Sequence, residues 1–318
     1  MKIVSIIFSF KNEEKNIPEL ISRINKIFEK LDGWKYELVF VNDASTDSSE
    51  KILEDFQKKF PIRIINMSRT FGVGPCVLAG FDNCLGECII YMDSDLQDPP
   101  ELIPELIKKY ENGYDVVHTK RTKRIGEGKF KLFVTNLAYN IINKLSDISL
   151  PVEVGDFKLI SRRALDHIKK QNEINPYIRG MSIWVGFNQT FVEYIREARS
   201  SGKTKQSIFS PGSFYYGPIS QFIRGVTSYS IAPLYLGILL GIFAFLFSII
   251  LIIYALYIKF NGLAVQGSTG IIITVSFFSG IILITMGLIG IYVARIYEQT
   301  RGRARYIIKE IKDYNKKD

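Results

Sequence analysis

Charge is missing from two long stretches of this 318-residue chain, and cysteine is scarce throughout. Between Arg224 and Lys259, and again between Lys259 and Arg295, there is no Asp, Glu, Lys or Arg. A helix in a soluble core rarely stays uncharged over such a length. Each interval can hold the ~20 apolar residues that cross a ~30 Å hydrocarbon core, which predicts membrane spans at 231–258 and 270–294. The three cysteines, Cys76, Cys84 and Cys88, have no paired spacing and no matching histidines. They read as small core residues in a reducing compartment. No signal peptide is expected, because the apolar run from Ile3 to Phe10 is short and leads straight into Lys11-Asn12-Glu13-Glu14.

The charge that is present fits two membrane spans. The net charge is +9, and 47 % of residues are hydrophobic. Arg295, Arg301, Arg303, Arg305, Lys309 and Lys312 follow the second span, whereas the loop between the spans offers only Lys259. Basic flanks face the cytoplasm, so both ends are expected there, with an external hairpin around Asn261 to Gly267. A basic site binds phosphates and a basic tail attracts anionic lipid; no nucleic-acid motif accompanies the charge. Gly280, Gly287 and Gly290 give the second span small-residue faces through which homo-oligomers could pack.

Residues 1–120 alternate strand and helix. Strands are predicted at Ile3–Phe10, Glu37–Val41, Arg63–Asn66 and Cys88–Met92, with a further strand at Asp115–His118. Helical spacing runs through Ile17, Leu20, Ile21, Ile24 and Phe28, and again through Ile52, Leu53 and Phe56. This pattern implies a mostly parallel α/β sheet with ligands at the carboxyl ends of its strands. Polar residues gather there: Lys11, Asn12 and Glu13, then Asn42 and Asp43, then Ser68 and Arg69, then Asp93, Asp95 and Gln97. Asp93 and Asp95 point to one side of an extended chain. Their repulsion is relieved by a hard cation such as Mg²⁺ or Mn²⁺ that also holds a diphosphate. The alternative is a solvated acidic turn before a helix that begins at Asp98-Pro99-Pro100-Glu101. Gly72-Val73-Gly74 is too short for a dinucleotide fingerprint and reads as a turn.

The stretches Asn12-Glu13-Glu14, Val41-Asn42-Asp43-Ala44-Ser45-Thr46-Asp47, Ser68-Arg69-Thr70-Phe71-Gly72, Asp93-Ser94-Asp95-Leu96-Gln97-Asp98-Pro99-Pro100-Glu101, Gly155-Asp156-Phe157, Arg179-Gly180 and Trp184-Val185-Gly186-Phe187, together with Arg199, Gly202, Thr204 and Lys205, resemble glycosyltransferase family 2. Within it the chain is similar to the polyisoprenyl-phosphate glycosyltransferases, relatives of dolichyl-phosphate mannose synthase and of the bacterial undecaprenyl-phosphate glucosyltransferases. The resemblance implies a GT-A fold, Rossmann-like, as a catalytic domain over 1–207, followed by two C-terminal transmembrane helices. It places Glu13, Asp43, Ser68, Arg69 and Asp93 at the nucleotide, Asp93, Asp95 and Gln97 at a divalent cation, and Asp95 and Asp156 in catalysis. Asp156 stands where the family has an acidic residue often proposed as the base; a lipid phosphate, with a second pKa of about 6, hardly needs one. Arg121, Arg199 and Lys205 fall where phosphate or acceptor binding is expected. Ala44 replaces a usual glycine and Thr70 a usual asparagine.

The implied reaction moves one sugar, from a UDP-hexose, to polyprenyl phosphate, undecaprenyl phosphate above all, with inversion, on the cytoplasmic face of a multi-pass membrane protein. Phe130, Phe133, Val134, Leu137, Ala138, Ile141, Ile142 and Leu145 repeat at helical spacing, fitting either an interfacial helix or a core-facing one. Residues 208–230 join the catalytic domain to the first span, and 295–318 form a basic tail. Two rival readings remain. A processive polysaccharide synthase would carry Trp after Gln221-Phe222-Ile223-Arg224, where this chain has Gly225. A silent membrane scaffold would have no need of Asp93, Asp95 and Asp156.

Overall fold

The computed structural model describes residues 1–124, 154–171, 173–174, 176–196, 227, 230–261 and 268–314. The described parts of 1–196, together with 303–314, form one compact unit, and 230–302 form a second.

The first unit is built on an eight-stranded sheet ordered β7-β5-β6-β4-β1-β2-β3-β8. Its centre is parallel: β1 (Lys2–Phe10) pairs with β2 (Trp34–Asn42) and β4 (Cys88–Tyr91), and β2 pairs with β3 (Ile62–Met67). These strands are apolar on both faces because helices cover both. Val4, Ile6 and Phe8 face a core shared with α1 (Ile17–Phe28), α2 (Ser49–Gln57) and α4 (Ile103–Glu111). Ile7, Val39 and Val41 face the other core, with α3 (Val73–Asp82), α5 (Arg162–Lys170) and α6 (Ile178–Trp184). Because successive residues of a strand enter opposite cores, register is fixed: a one-residue slip would exchange the two cores.

Beyond β4 the sheet becomes mixed. β6 (Val154–Ser161) runs antiparallel to β4 and to β5 (Val116–Arg124), and β7 (Gln189–Arg196) closes that edge parallel to β5. The strand expected at Asp115–His118 therefore continues to Arg124, because β7 stays paired with it through Arg124. Arg121, Lys123 and Arg124 lie within the strand instead of after it. Gly72-Val73-Gly74, expected as a turn, opens α3. Gly72 adopts φ 91°, open to glycine at little cost, and a Cβ on Gly74 would meet the Pro176 carbonyl at 3.0 Å.

The opposite edge is closed by the far end of the chain. Residues Ile308–Lys312, within the segment read as a basic tail, form β8 antiparallel to β3. Lys312 sits between Glu50 and Glu54, at 2.7 and 2.5 Å, and Tyr306 donates to Asp82 at 2.5 Å.

In the second unit, α7 (Ala232–Phe260) and α8 (Ser268–Thr300) are long and apolar enough to cross a membrane, over Pro233–Ile258 and Ile273–Thr300. They approach closely at Gly237, where a Cβ would touch Thr285 at 3.0 Å, and Phe247 packs on Phe277 at 5.5 Å. Tyr292 donates to the Ser230 carbonyl at 2.7 Å. Nothing comes within 4 Å of a Cβ built on Gly280, Gly287 or Gly290.

Candidate active site

Parallel strands β1, β2, β3 and β4 end side by side, and the loops that leave them carry the polar residues. The β1 and β2 loops are stitched together. Asn12, at φ 59°, donates its backbone N–H to Ser45 and accepts from the Thr46 N–H at 2.8 Å, while the Glu13 N–H reaches Ser49. The Asp43 carboxylate is occupied: it accepts the Phe71 and Gly72 N–H groups at 2.7 and 3.1 Å, drawing the β3–α3 loop over the end of β2. The Glu13 side chain accepts from Asn16 at 2.6 Å. Of the residues expected at a nucleotide, Asp43 and Glu13 thus shape the loops, while Ser68 and Arg69 are exposed, Arg69 lying 4.0 Å over the Phe71 ring. Lys11 reaches across to Thr70 at 2.7 Å.

Acid concentrates past β4. Asp95 turns the chain by accepting the Gln97 N–H at 3.2 Å, and Leu96 between them is buried at φ 59°. A leucine at positive φ costs about 1–2 kcal/mol, a strain that persists only where surrounding contacts enforce it. Asp93 accepts from Tyr91 at 3.3 Å and keeps part of its surface open. Burial, with the carboxylates of Asp156, Asp98 and Asp95, pushes the Asp93 carboxyl up to about 7 against the pull of Arg121. Near neutral pH the site therefore prefers a proton, or another positive charge, beside Asp93.

Two arginines fix the surrounding acids. Arg121 on β5 is buried; its Nε donates to the Tyr194 hydroxyl at 2.9 Å, and its Nη2 lies 3.6 Å from Asp98. Tyr194 donates in turn to Asp98, which is wholly buried. Gly155 leaves room for the guanidinium, which a Cβ there would meet at 2.9 Å and push aside. Arg121, expected at phosphate or acceptor, is thus engaged in tying β5 and β7 to the acidic loop. On β6, Asp156 is gripped by a bidentate fork from Arg179, Nε at 2.8 Å and Nη2 at 2.5 Å. Burial acts to raise the Asp156 carboxyl, but Arg179, with Lys158 and Arg121, holds it well below the usual carboxylate range. A carboxylate so clamped is a poor proton acceptor at neutral pH. Two residues on, Lys158 is wholly buried; burial draws its ammonium down to about 8 against the nearby Asp156 carboxylate.

Oxygen donors alone at Asp93 and Asp95 suit a hard cation. No three His, Cys, Asp or Glu side chains converge as a ready-made cage among the described residues. A magnesium-type ion is ordinarily held by one or two carboxylates and completed by substrate phosphates, so the pair fits that role, and the elevated Asp93 carboxyl marks where positive charge is wanted. Arg199 and Lys205 lie outside the described residues. The residues that sequence reasoning left without a role are Asp98, Tyr194, Lys158 and Arg179. Asp98 and Arg179 both stand in quoted motifs, Asp98 also as a helix start; Tyr194 and Lys158 carry no local signal.

The sequence profile described as "Glycosyl transferase family 2" matches residues 5–169. "Uncharacterized glycosyltransferase YkcC" of Bacillus subtilis (strain 168) is 38 % identical over 316 residues, covering 96 % of this chain and 93 % of its own. "Prophage bactoprenol glucosyl transferase homolog" of Escherichia coli (strain K12) is 34 % identical over 314 residues, covering 97 % and 99 %. Among solved structures, glucosyl-3-phosphoglycerate synthase from Mycobacterium tuberculosis, crystallised with Mn²⁺, UDP-glucose and phosphoglyceric acid, aligns with a TM-score of 0.50 and 18 % identity over 71 % of this chain and 80 % of that one. That likeness bears on the fold.

Proposed function

This chain belongs to glycosyl transferase family 2, and from that premise we propose that it transfers a single sugar from a nucleotide donor, a UDP-hexose, to a polyprenyl phosphate, with inversion at the anomeric carbon. The near-full-length likeness to a bactoprenol glucosyl transferase homolog supports the acceptor class. One observation carries the site: Asp93 and Asp95 stand together past the end of β4, in a loop turned by Asp95 and backed by the buried Asp98, an acidic cluster that gains when a cation-bearing diphosphate enters.

Asp93 and Asp95 would hold a divalent cation, with Gln97 beside them. When bound, that ion neutralises charge growing on the departing nucleoside diphosphate. The chain's own groups supply the rest. Asp156, kept anionic by the Arg179 fork, lies in the same acidic cluster and offsets positive charge that develops on the sugar ring as the glycosidic bond breaks. No proton need be removed from the acceptor, since a phosphate monoester with a second pKa of about 6 is mostly dianionic at neutral pH. Arg199 and Lys205 are assigned to the acceptor phosphate, whose repulsion from the donor needs offsetting. The helices α7 and α8 are taken as membrane spans, with the catalytic unit on the cytoplasmic side where nucleotide sugars are found.

The test uses purified full-length protein in detergent with Mg²⁺ or Mn²⁺, undecaprenyl phosphate and radiolabelled UDP- and GDP-sugars. Label should pass into the lipid fraction with a UDP-hexose, disappear with a chelator, and fall roughly 100- to 1,000-fold in Asp95→Asn, the loss typical of removing one electrostatic contact to a transition state. Hydrolysis of donor without lipid labelling would keep the donor site and reject the acceptor.

A further inference from the structure

Among the described residues Lys158 is the one fully buried ammonium, and its charge near Asp156 does not account for the hydrogen bond it makes on its other side. It is 0 % exposed, in the middle of β6. Taking an ammonium out of water costs several kcal/mol unless well compensated, and a methionine would fill the same space without that cost. Its Nζ donates to the Ser182 hydroxyl at 3.0 Å. Ser182, also 0 % exposed, passes its own proton to the Arg179 carbonyl at 2.9 Å. Arg179 is the residue whose side chain forks Asp156. The contacts close a loop between two elements: Asp156 and Lys158 on β6, Arg179 and Ser182 on α6. One tie is a charged fork and the other a lysine–serine–carbonyl relay to the backbone of the residue that bears the fork.

The relay has no catalytic reading of its own. A serine beside a lysine resembles an activated nucleophile, but neither side chain has exposed surface, and the hydroxyl proton is committed to a carbonyl one turn earlier. Nor is α6 held firmly by its own length, since at seven residues it spans two turns and short helices depend on tertiary contacts. Ile178 and Met181 anchor α6 in the core and Gln189 Nε2 donates to the Ser182 and Ile183 carbonyls; the relay adds the tie that reaches the Arg179 carbonyl itself.

We infer that Lys158 and Ser182 are positioning residues for the transfer reaction, fixing α6 against β6 so that Arg179 holds Asp156 in one orientation beneath the sugar. The inference rests on the reading of Asp156 given above. A misaimed carboxylate affects the transition state more than the bound donor, so these residues should act on kcat and leave donor KM alone. A small displacement of a positioned group is enough to cost ~100-fold.

The experiment measures kcat and both KM values of full-length protein in detergent for Lys158→Met, Ser182→Ala, Ser182→Thr and Asp156→Asn, each with a melting temperature. Ser182→Ala and Lys158→Met should lower kcat 10- to 100-fold with donor KM within twofold of the parent, and Ser182→Thr, which restores the hydroxyl, should recover most of the loss. If Lys158→Met does not fold, the alanine and threonine pair decides alone. Parent-like kcat in Ser182→Ala, or a loss shared by Ser182→Thr that tracks melting temperature, overturns the inference while an impaired Asp156→Asn preserves the catalytic reading. An unimpaired Asp156→Asn overturns both.

Discussion

His118 shows how a single buried side chain ties stability to pH. It is 0 % exposed, stacks on Phe191 at 5.5 Å, and its Nε2 faces the Gln189 side-chain oxygen at 3.0 Å. The Gln189 amide nitrogen is spent on the Gly186 carbonyl, so its oxygen accepts and His118 carries the proton on Nε2. Burial, and then the Lys158 charge, lowers His118 from 6.5 to about 3. Between those values the unfolded chain binds a proton that the folded one refuses, so stability falls as pH drops below 6.5 and is intact above it. At pH 5 this costs about 2 kcal/mol. Melting temperature should fall between pH 7 and pH 5, and His118→Gln should show a shallower fall; equal slopes would remove the residue from the account. Sequence could not flag His118, since nothing in its neighbours marks a strand interior flanked by another charge. The position of Asp93 and Asp95 past the end of β4 was legible because two acids follow an apolar run. Ala44 was legible as a departure: its φ of 55° is the conformation that the usual glycine supplies without strain.

Among the elements, the parallel strands were readable from continuous apolar runs and the helices from their spacing. From sequence β5 stops at His118, because Lys120, Arg121, Lys123 and Arg124 look like a solvated end, whereas Arg121 is buried by its partnership with Asp98 and Tyr194. β8 was unreadable. Its five residues, Ile-Lys-Glu-Ile-Lys, show no clean alternation, and their partner lies far away in sequence. Its effect reaches the strand ends through a polar chain: Asn42 to Asn66 at 3.0 Å, Asn66 to Glu50 at 2.7 Å, Glu50 to Lys312 at 2.7 Å. The Ser68 N–H also donates to the Ile307 carbonyl at 2.9 Å. Ending the chain after Gly302 would bare the edge of β3, a template for aggregation. Such a protein should melt ~5–10 °C lower, as loss of a few kcal/mol implies for a unit of this size. Its donor KM should rise as Ser68 and Arg69 lose their support. Unchanged melting and KM would mean that β8 is ornamental.

For the whole molecule, the two uncharged intervals became two helices of 29 and 33 residues. With a basic segment after the second and little charge between them, the expected arrangement puts both ends on one side. In intact cells, an impermeant thiol reagent should label Asn261→Cys but not Asp318→Cys, with Cys76, Cys84 and Cys88 all buried and silent; the reverse pattern would invert the orientation. The return of the chain to β3 also sets a schedule. Gln57 and Lys312, joined by a hydrogen bond, are 255 residues apart, which at ~5–20 residues per second places the making of β8 roughly 10–50 s after that of β3. During that interval the ribosome has already delivered both apolar helices while the sheet still has an open rim. If the helices are the spans proposed above, a nascent chain stalled before β8 would be tethered while Ser68 still lacks the Ile307 carbonyl, so that anchoring would precede completion of the sheet during synthesis.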